Sequence, residues 1–393
     1  MRLTLERLRE RTSGYTVTPG QFLVLAYLAL GALTAIVFTG AAVRLTGSGL
    51  GCPTWPKCYG NLYPPLSSHA IIEFGNRTLT VPVSIAAGLA WLGALRRRPY
   101  RRDLVWLAVL LPLGVVAQAI LGGLTVRGAL DYGWVMAHFA LSMLILVAAI
   151  ALVYRSRTGE IRDRPALASP DLDPDAAESP MPTRPADEHG VQAEGHRASD
   201  HLAGEARPPD ARGDGMQIAT RDPVLVRWTR GLVGLAALTI FAGTAATAAG
   251  PHAGGSPGQR INRLDFDGRG TMDFVIHRHG EIAFVFGLAA LLTWYLARRR
   301  GAGQSVQQAL TSVCVLLAAQ GLVGLEQYET HLPTELVWVH VVLATLTWLA
   351  TLWAAFVAGH RPARDAAVAL PALPARAPET GPSRAPAELI PGN

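Results

Sequence analysis

The chain has 393 residues, 50% of them hydrophobic and only 16% charged, with a formal net charge of +6. Soluble domains carry about 25% charge, so the composition favours a membrane protein over a soluble one. Lys57 is the sole lysine. The positive charge is therefore arginine in short runs between apolar segments, which reads as topology signalling and codon bias and excludes nucleic acid as a partner.

Residues 1–19 form an arm with Arg2, Arg7, Arg9 and Arg11 and lack a cleavable signal pattern. Eight apolar segments follow, each long enough for the roughly 20 helical residues that cross a bilayer. They fall at about 21–43, 71–95, 104–126, 134–154, 226–249, 274–297, 306–326 and 335–358. The arginines of the 96–102 connection (Arg96, Arg97, Arg98, Arg101, Arg102) and of 298–300 place those loops and both termini in the cytoplasm of a bacterial cell. Loops 44–70, 127–133, 250–273 and 327–334 then lie outside. Arg260, Arg263 and Arg269 run against that rule in the third outer loop, partly offset by Asp265 and Asp267.

Between the fourth and fifth segments, residues 158–222 are rich in Pro, Ala, Asp, Glu and Arg. Such a stretch buries too little apolar surface to offset its ordering entropy and is expected to be a disordered cytoplasmic linker, with His189, His196 and His201 solvated. The tail 361–393 reads the same way. The expected organisation is an arm (1–19), a four-helix half (20–157), the linker, a second four-helix half (223–360) and the tail. The fold class is an all-α polytopic membrane protein, eight transmembrane helices forming two pseudo-symmetric bundles.

The halves resemble one another. Gln118 stands as far ahead of His138 as Gln320 stands ahead of His340. Gly122-Gly123-Leu124 corresponds to Gly324-Leu325, and Thr39-Gly40-Ala41-Ala42 to Ala242-Gly243-Thr244-Ala245. Both halves begin and end on the same side, so the repeat is parallel, about an axis along the membrane normal. The interval from Asn76 to His138 and that from His277 to His340 agree to within a single position, which pairs Asn76 with His277.

Ionisable groups within spans are costly and functional by default. His138, His277 and His340 each stand near the outer end of a span, and the second and fourth helices of each half enter from the same side. Two facing histidines without a third ligand suit haem iron better than zinc. Arg77 and Arg278 stand where they could meet haem propionates. His138 alone could equally hydrogen-bond a neighbouring helix. His279 is expected to point elsewhere, as a loop-facing or supporting group; His69, His252 and His331 are expected to meet solvent, with His69 also near enough in sequence to Glu73 to contribute to the first site. Glu73 shares a helical face with Asn76 and is the candidate for catalytic proton exchange, the plainer reading being an i, i+4 ion pair with Arg77. Cys52 and Cys58 flank five residues of the first outer loop, where a stapling disulfide and a redox role both stand open; Cys314 reads as a packing residue.

These residues resemble the haem A synthase family, membrane enzymes that convert haem O to haem A. The resemblance rests on Val43-Arg44-Leu45-Thr46-Gly47-Ser48-Gly49-Leu50-Gly51-Cys52-Pro53, on Glu73 to Arg77, on Gln118 to Thr125 and on the histidines at 138, 277 and 340. It implies a haem b cofactor in the second half on His277 and His340, serving as electron relay. It also implies a substrate haem in the first half near Glu73, Asn76 and Arg77, whose C8 methyl is oxidised to a formyl group by successive hydroxylations. Implied partners are haem O, the lipid bilayer, a haem O synthase and an electron acceptor. A role in electron or haem transfer is suggested for the cysteine pair. The family usually has histidine where Asn76 stands, so His138 is expected to bind the substrate iron alone. The 250–273 loop has no second cysteine pair. Rival readings are a b-type cytochrome, a parallel-repeat transporter and a disulfide-generating quinone enzyme.

Overall fold

The computed structural model describes residues 15–163, 222–256, 258–268 and 270–360, with the backbone only over 159–163. Expectations for the rest of the arm, most of the linker with its three histidines, Arg269 and the tail lie outside the described residues. The described residues form eight helices: α1 (Pro19–Leu45), α2 (Ser68–Arg96), α3 (Arg102–Arg127), α4 (Tyr132–Asp163), α5 (Pro223–Ala249), α6 (Gly270–Arg299), α7 (Gln304–Glu329) and α8 (Thr334–Ala358). Each contains the expected apolar segment and extends it by a few residues, because caps and polar first turns carry the helix past its apolar stretch. All eight are long and apolar enough to cross a membrane, which makes this a multi-pass membrane protein. In lipid the backbone must satisfy itself, and helices do so within one segment.

Local chemistry sets the starts. Thr18 caps α1 through a capping box with Gln21, with Pro19 in the first turn. Ser67 caps α2, and Asp222 accepts from the Val224 N–H (2.8 Å) ahead of α5. Both ends of the linker differ from the expected 158–222: α4 continues to Asp163, and at the far end Asp222 belongs to the cap of α5.

Within each half the four helices close a ring: α1 packs on α2 and α4, α3 on α2 and α4; α5 packs on α6 and α8, α7 on α6 and α8. The halves meet through α4 against α8, α1 against α8 and α4 against α5. Exchanging the halves turns α1·α8 into α5·α4, as a two-fold axis between α4 and α8 requires. These two are also the most buried spans, at 44% and 39%. Side-chain donors stitch the seam: Trp348 Nε1 to Met143 O (3.1 Å), Trp338 Nε1 to Phe38 O (3.0 Å), and Tyr154 with His360 Nδ1 (3.0 Å).

One end of the bundle carries Arg96, Arg97, Arg98, Arg101 and Arg102 with Arg298, Arg299 and Arg300; the other carries the longer loops. There the third loop lies on the first two. Gly49 N donates to Gly254 O (2.9 Å), Ser256 Oγ to Gly47 O (2.8 Å), Arg44 Nε to His252 O (3.1 Å) and Asn262 Nδ2 to Asp131 Oδ2 (2.5 Å). The halves are thus joined at both ends and along the seam.

Trp348 is 5% exposed on that seam. Trp348→Ala leaves a cavity whose cost is about 3–5 kcal/mol. The expected result is one cooperative fall in melting temperature of the detergent-solubilised protein; an unchanged melting temperature would show that the seam does not hold the halves.

Candidate functional site

Each half holds a polar pair against glycines. In the second, the His279 and His340 rings approach to 6.1 Å between centroids at 71°. A Cβ added at Gly243 of α5 would fall 3.0 Å from His279 Cε1, and one at Gly324 of α7 would fall 3.1 Å from His340 Cε1. Glycine is what lets both imidazoles come this close to neighbouring helices. His279 Nδ1 lies 3.1 Å from Thr239 O. A carbonyl only accepts, so the proton sits on Nδ1 and Nε2 carries the lone pair.

In the first half His138 lies on Gly122, where a Cβ would come within 3.3 Å of Cε1. Opposite it in the repeat stands Asn76, whose Oδ1 accepts from Thr39 Oγ1 (2.7 Å) and whose Nδ2 would lie 4.0 Å from a Cβ at Gly40. Gly40 precedes Asn76 by the same interval at which Gly243 precedes His279. Asn76 therefore occupies the seat of His279, not that of His277.

This alters the residues expected to gather. His277 is exposed: its Nδ1 is bonded to Asp273 O (2.7 Å) and its ring meets Tyr328 edge-on at 6.5 Å. The structure does not bring His277 to His340; it brings His279, which the sequence reading turns away. Two helical residues are about 200° of rotation, so only one of the two can face the bundle interior. The signal was present in the sequence. The register that sets Gly40 on Gly243, carried forward to Asn76, ends on His279. Arg278, half-exposed, pairs with Glu281 (2.7 Å). His69 and His252 also leave their expected solvent environment, His69 Nδ1 bonding Ser48 Oγ (2.9 Å) and His252 Nε2 bonding Leu332 O (2.7 Å).

Glu73 is 5% exposed. One carboxylate oxygen accepts the Cys52 N–H (2.7 Å) and the other pairs with Arg77. Arg77 in turn donates to Cys52 O and Thr54 O, both at 2.8 Å. The pair therefore clamps the loop closed by the Cys52–Cys58 disulfide (Cα–Cα 4.7 Å). The ion pair is the one the plainer reading expected; the further bonds that hold Arg77 to the loop are not part of that reading. Trp55 of the loop lies on Gly123, next to the glycine that seats His138; a Cβ at Gly123 would be 3.0 Å from its ring. The loop caps the His138 end of the first bundle. Cys314 is half-buried and unbridged.

Among the described residues no cluster of three or more His, Cys, Asp or Glu could hold a metal ion. The His279–His340 pair suits a metal held by only two protein ligands. Imidazoles on opposite sides of one metal, with bonds of about 2 Å, have ring centres on the order of 6 Å apart, which matches the observed pair. A haem iron fits that donor set.

Residues 23–177 match the model of the cytochrome oxidase assembly protein family, COX15-CtaA. Among curated relatives, the chain is 34% identical over 151 residues to a haem A synthase of Geobacillus thermodenitrificans, covering 37% of this chain and 45% of the relative. It is 35% identical over 128 residues to a haem A synthase of Geobacillus kaustophilus, covering 31% and 39%. It is 32% identical over 153 residues to a protohaem IX farnesyltransferase of Halobacterium salinarum, covering 37% and 32%. In each case the match spans less than half of the relative's length. The family's hold on the sequence is therefore firmest where the disulfide loop, Glu73 and His138 lie.

The loop's seat depends on Gly51, where a Cβ would fall 2.3 Å from His69 O. Gly51→Ala is expected to lift the loop off α2 and expose Cys52 and Cys58, both fully buried here. A several-fold faster reduction by a water-soluble thiol would show it; an unchanged rate would mean that the loop is held some other way.

Proposed function

We propose that this chain is a haem A synthase, an oxidoreductase that converts the C8 methyl of haem O to the formyl group of haem A by successive hydroxylations. One observation carries the reading: equivalent seats in the two halves hold two imidazoles in one and an imidazole with a carboxamide in the other. The two-imidazole seat of His279 and His340 would hold a resident haem firmly, as a relay requires, whereas the seat with His138 and Asn76 offers a single imidazole, as would suit a substrate that must be altered and released. A pure electron-transfer cytochrome has no use for that difference.

In this proposal His279 and His340 hold a haem b, with His279 in the role first expected of His277. That group would supply one-electron relay chemistry. His138 binds the substrate haem on one face, and Asn76, oriented by Thr39, borders the other without ligating. Trp55 and the disulfide loop close the site from the loop end, held by Glu73 and Arg77. The arginine end faces the cytoplasm. The likeness to a protohaem farnesyltransferase supports a haem-type substrate; a haem O synthase and an electron acceptor complete the proposed partners, and lipid surrounds the bundle.

Glu73 has two roles to separate, proton exchange and loop anchoring. Glu73→Ala leaves Arg77 with its two carbonyl acceptors but without its carboxylate, and losing one member of a buried ion pair costs about 3–5 kcal/mol. Glu73→Gln still accepts the Cys52 N–H. In membranes of a host supplied with haem O, haem extraction and mass analysis should show haem A with the native chain. At least a tenfold loss is expected with Glu73→Ala and only a few-fold loss with Glu73→Gln. If Glu73→Gln is as inactive as Glu73→Ala while its disulfide stays protected, the carboxylate acts in the chemistry itself. If protohaem is retained by the native chain but haem O stays unaltered in a host with adequate electron acceptors, the b-type cytochrome reading replaces this one.

A further inference from the structure

His279 has its Nδ1 proton fixed by Thr239 O. His340, its facing partner, does not: His340 Nδ1 is buried without a hydrogen-bond partner. One helix away, on α7, Gln320 Oε1 is also buried without one. Gln320 lies one turn from Gly324 on the same helical face, and Gly324 is the residue on which the His340 ring rests.

The first half repeats this pattern. His138 Nδ1 and Gln118 Oε1 are both buried and unpartnered, and His138 rests on Gly122, one turn from Gln118. There the carboxamide's orientation is determined. The Gln118 atom 3.0 Å from His138 O must be nitrogen, because a carbonyl only accepts; the same nitrogen lies 2.6 Å from Ser142 Oγ. The oxygen is then the atom left over, beside the residue whose imidazole also lacks a partner. A buried acceptor and a buried ring nitrogen left open at matched positions in both halves are unlike the general rule that buried polar groups are bonded. Gln327 Oε1 is likewise buried and open on the same face of α7. In the register that sets Gln118 on Gln320, its first-half equivalent is Thr125, so only the glutamine at 118 and 320 is common to both.

We propose that Gln320 is a positioning residue for His340: its Oε1 accepts the Nδ1–H of the imidazole when Nε2 binds the haem iron. This rests on the haem reading above. A coordinating imidazole keeps its proton on the other nitrogen, and the acceptor of that proton fixes the ring's tautomer and raises its basicity. Thr239 O does this for His279, and Gln320 does it for His340.

The test uses the full chain purified with protohaem bound. Gln320→Leu removes the acceptor and Gln320→Glu strengthens it. A more basic ligand favours ferric iron, so the midpoint potential of the bound haem is expected to rise in Gln320→Leu and to fall in Gln320→Glu. Gln327→Leu is expected to leave it unchanged. Opposite shifts are the mark of a hydrogen bond to the ligand; loss of packing alone would move both variants the same way. Equal or absent shifts in the two Gln320 variants, or a shift in Gln327→Leu alone, would overturn the assignment. If Gln320→Leu does not fold, Gln320→Glu decides by itself: a lowered potential supports the proposal and an unchanged one overturns it. A native chain that binds no protohaem would instead remove the haem reading on which the proposal stands.

Discussion

His138, His279 and His340 lie against Gly122, Gly243 and Gly324, and a methyl group at any of the three glycines would come within 3.3 Å of a ring. Helices in a bilayer gain nothing from burying apolar side chains away from lipid, and they associate where small residues let them approach closely. In this chain those points of close approach are also the seats of the imidazoles. Packing and site share the same residues, so the chain cannot relax one without disturbing the other.

That shared origin explains why the two halves differ in chemistry while keeping one geometry. The seat defined by Gly40 and Gly243 holds Asn76 in one half and His279 in the other. The bundle around it is the same closed ring of four helices. The two frames match, and a single side-chain difference makes one a two-imidazole site and the other a one-imidazole site. The disulfide loop adds a second asymmetry. It caps only the first half, through Glu73, Arg77 and Trp55, while the 250–268 stretch lies across the first loop and ties the halves together.

Most of the fold was legible in the sequence because lipid leaves few alternatives: a run of about 20 apolar residues must be a helix. The eight spans and the two halves followed from composition, periodicity and spacing, whereas the sequence left open whether Cys52 and Cys58 are bonded, as they are. What the sequence reading missed was rotation about the helix axis. His277 and His279 are near neighbours that face opposite ways, and histidine intervals that agree only to within a position could not separate them. The glycine register could, because it follows the packing surface and not the nearest histidine. The clamp of Glu73 and Arg77 onto Cys52 was half legible. The i, i+4 ion pair follows from spacing, but its hold on a loop well before it in the chain depends on how that loop folds back.

The central claim is that the second half presents His279, not His277, to His340. The most direct measurement is the protohaem content and low-spin absorption spectrum of the purified full chain carrying His279→Ala or His277→Ala. The account predicts that His279→Ala loses the low-spin bis-imidazole spectrum and most of the bound protohaem, while His277→Ala keeps both. The reverse pattern would contradict it and return the ligand to the exposed face of α6.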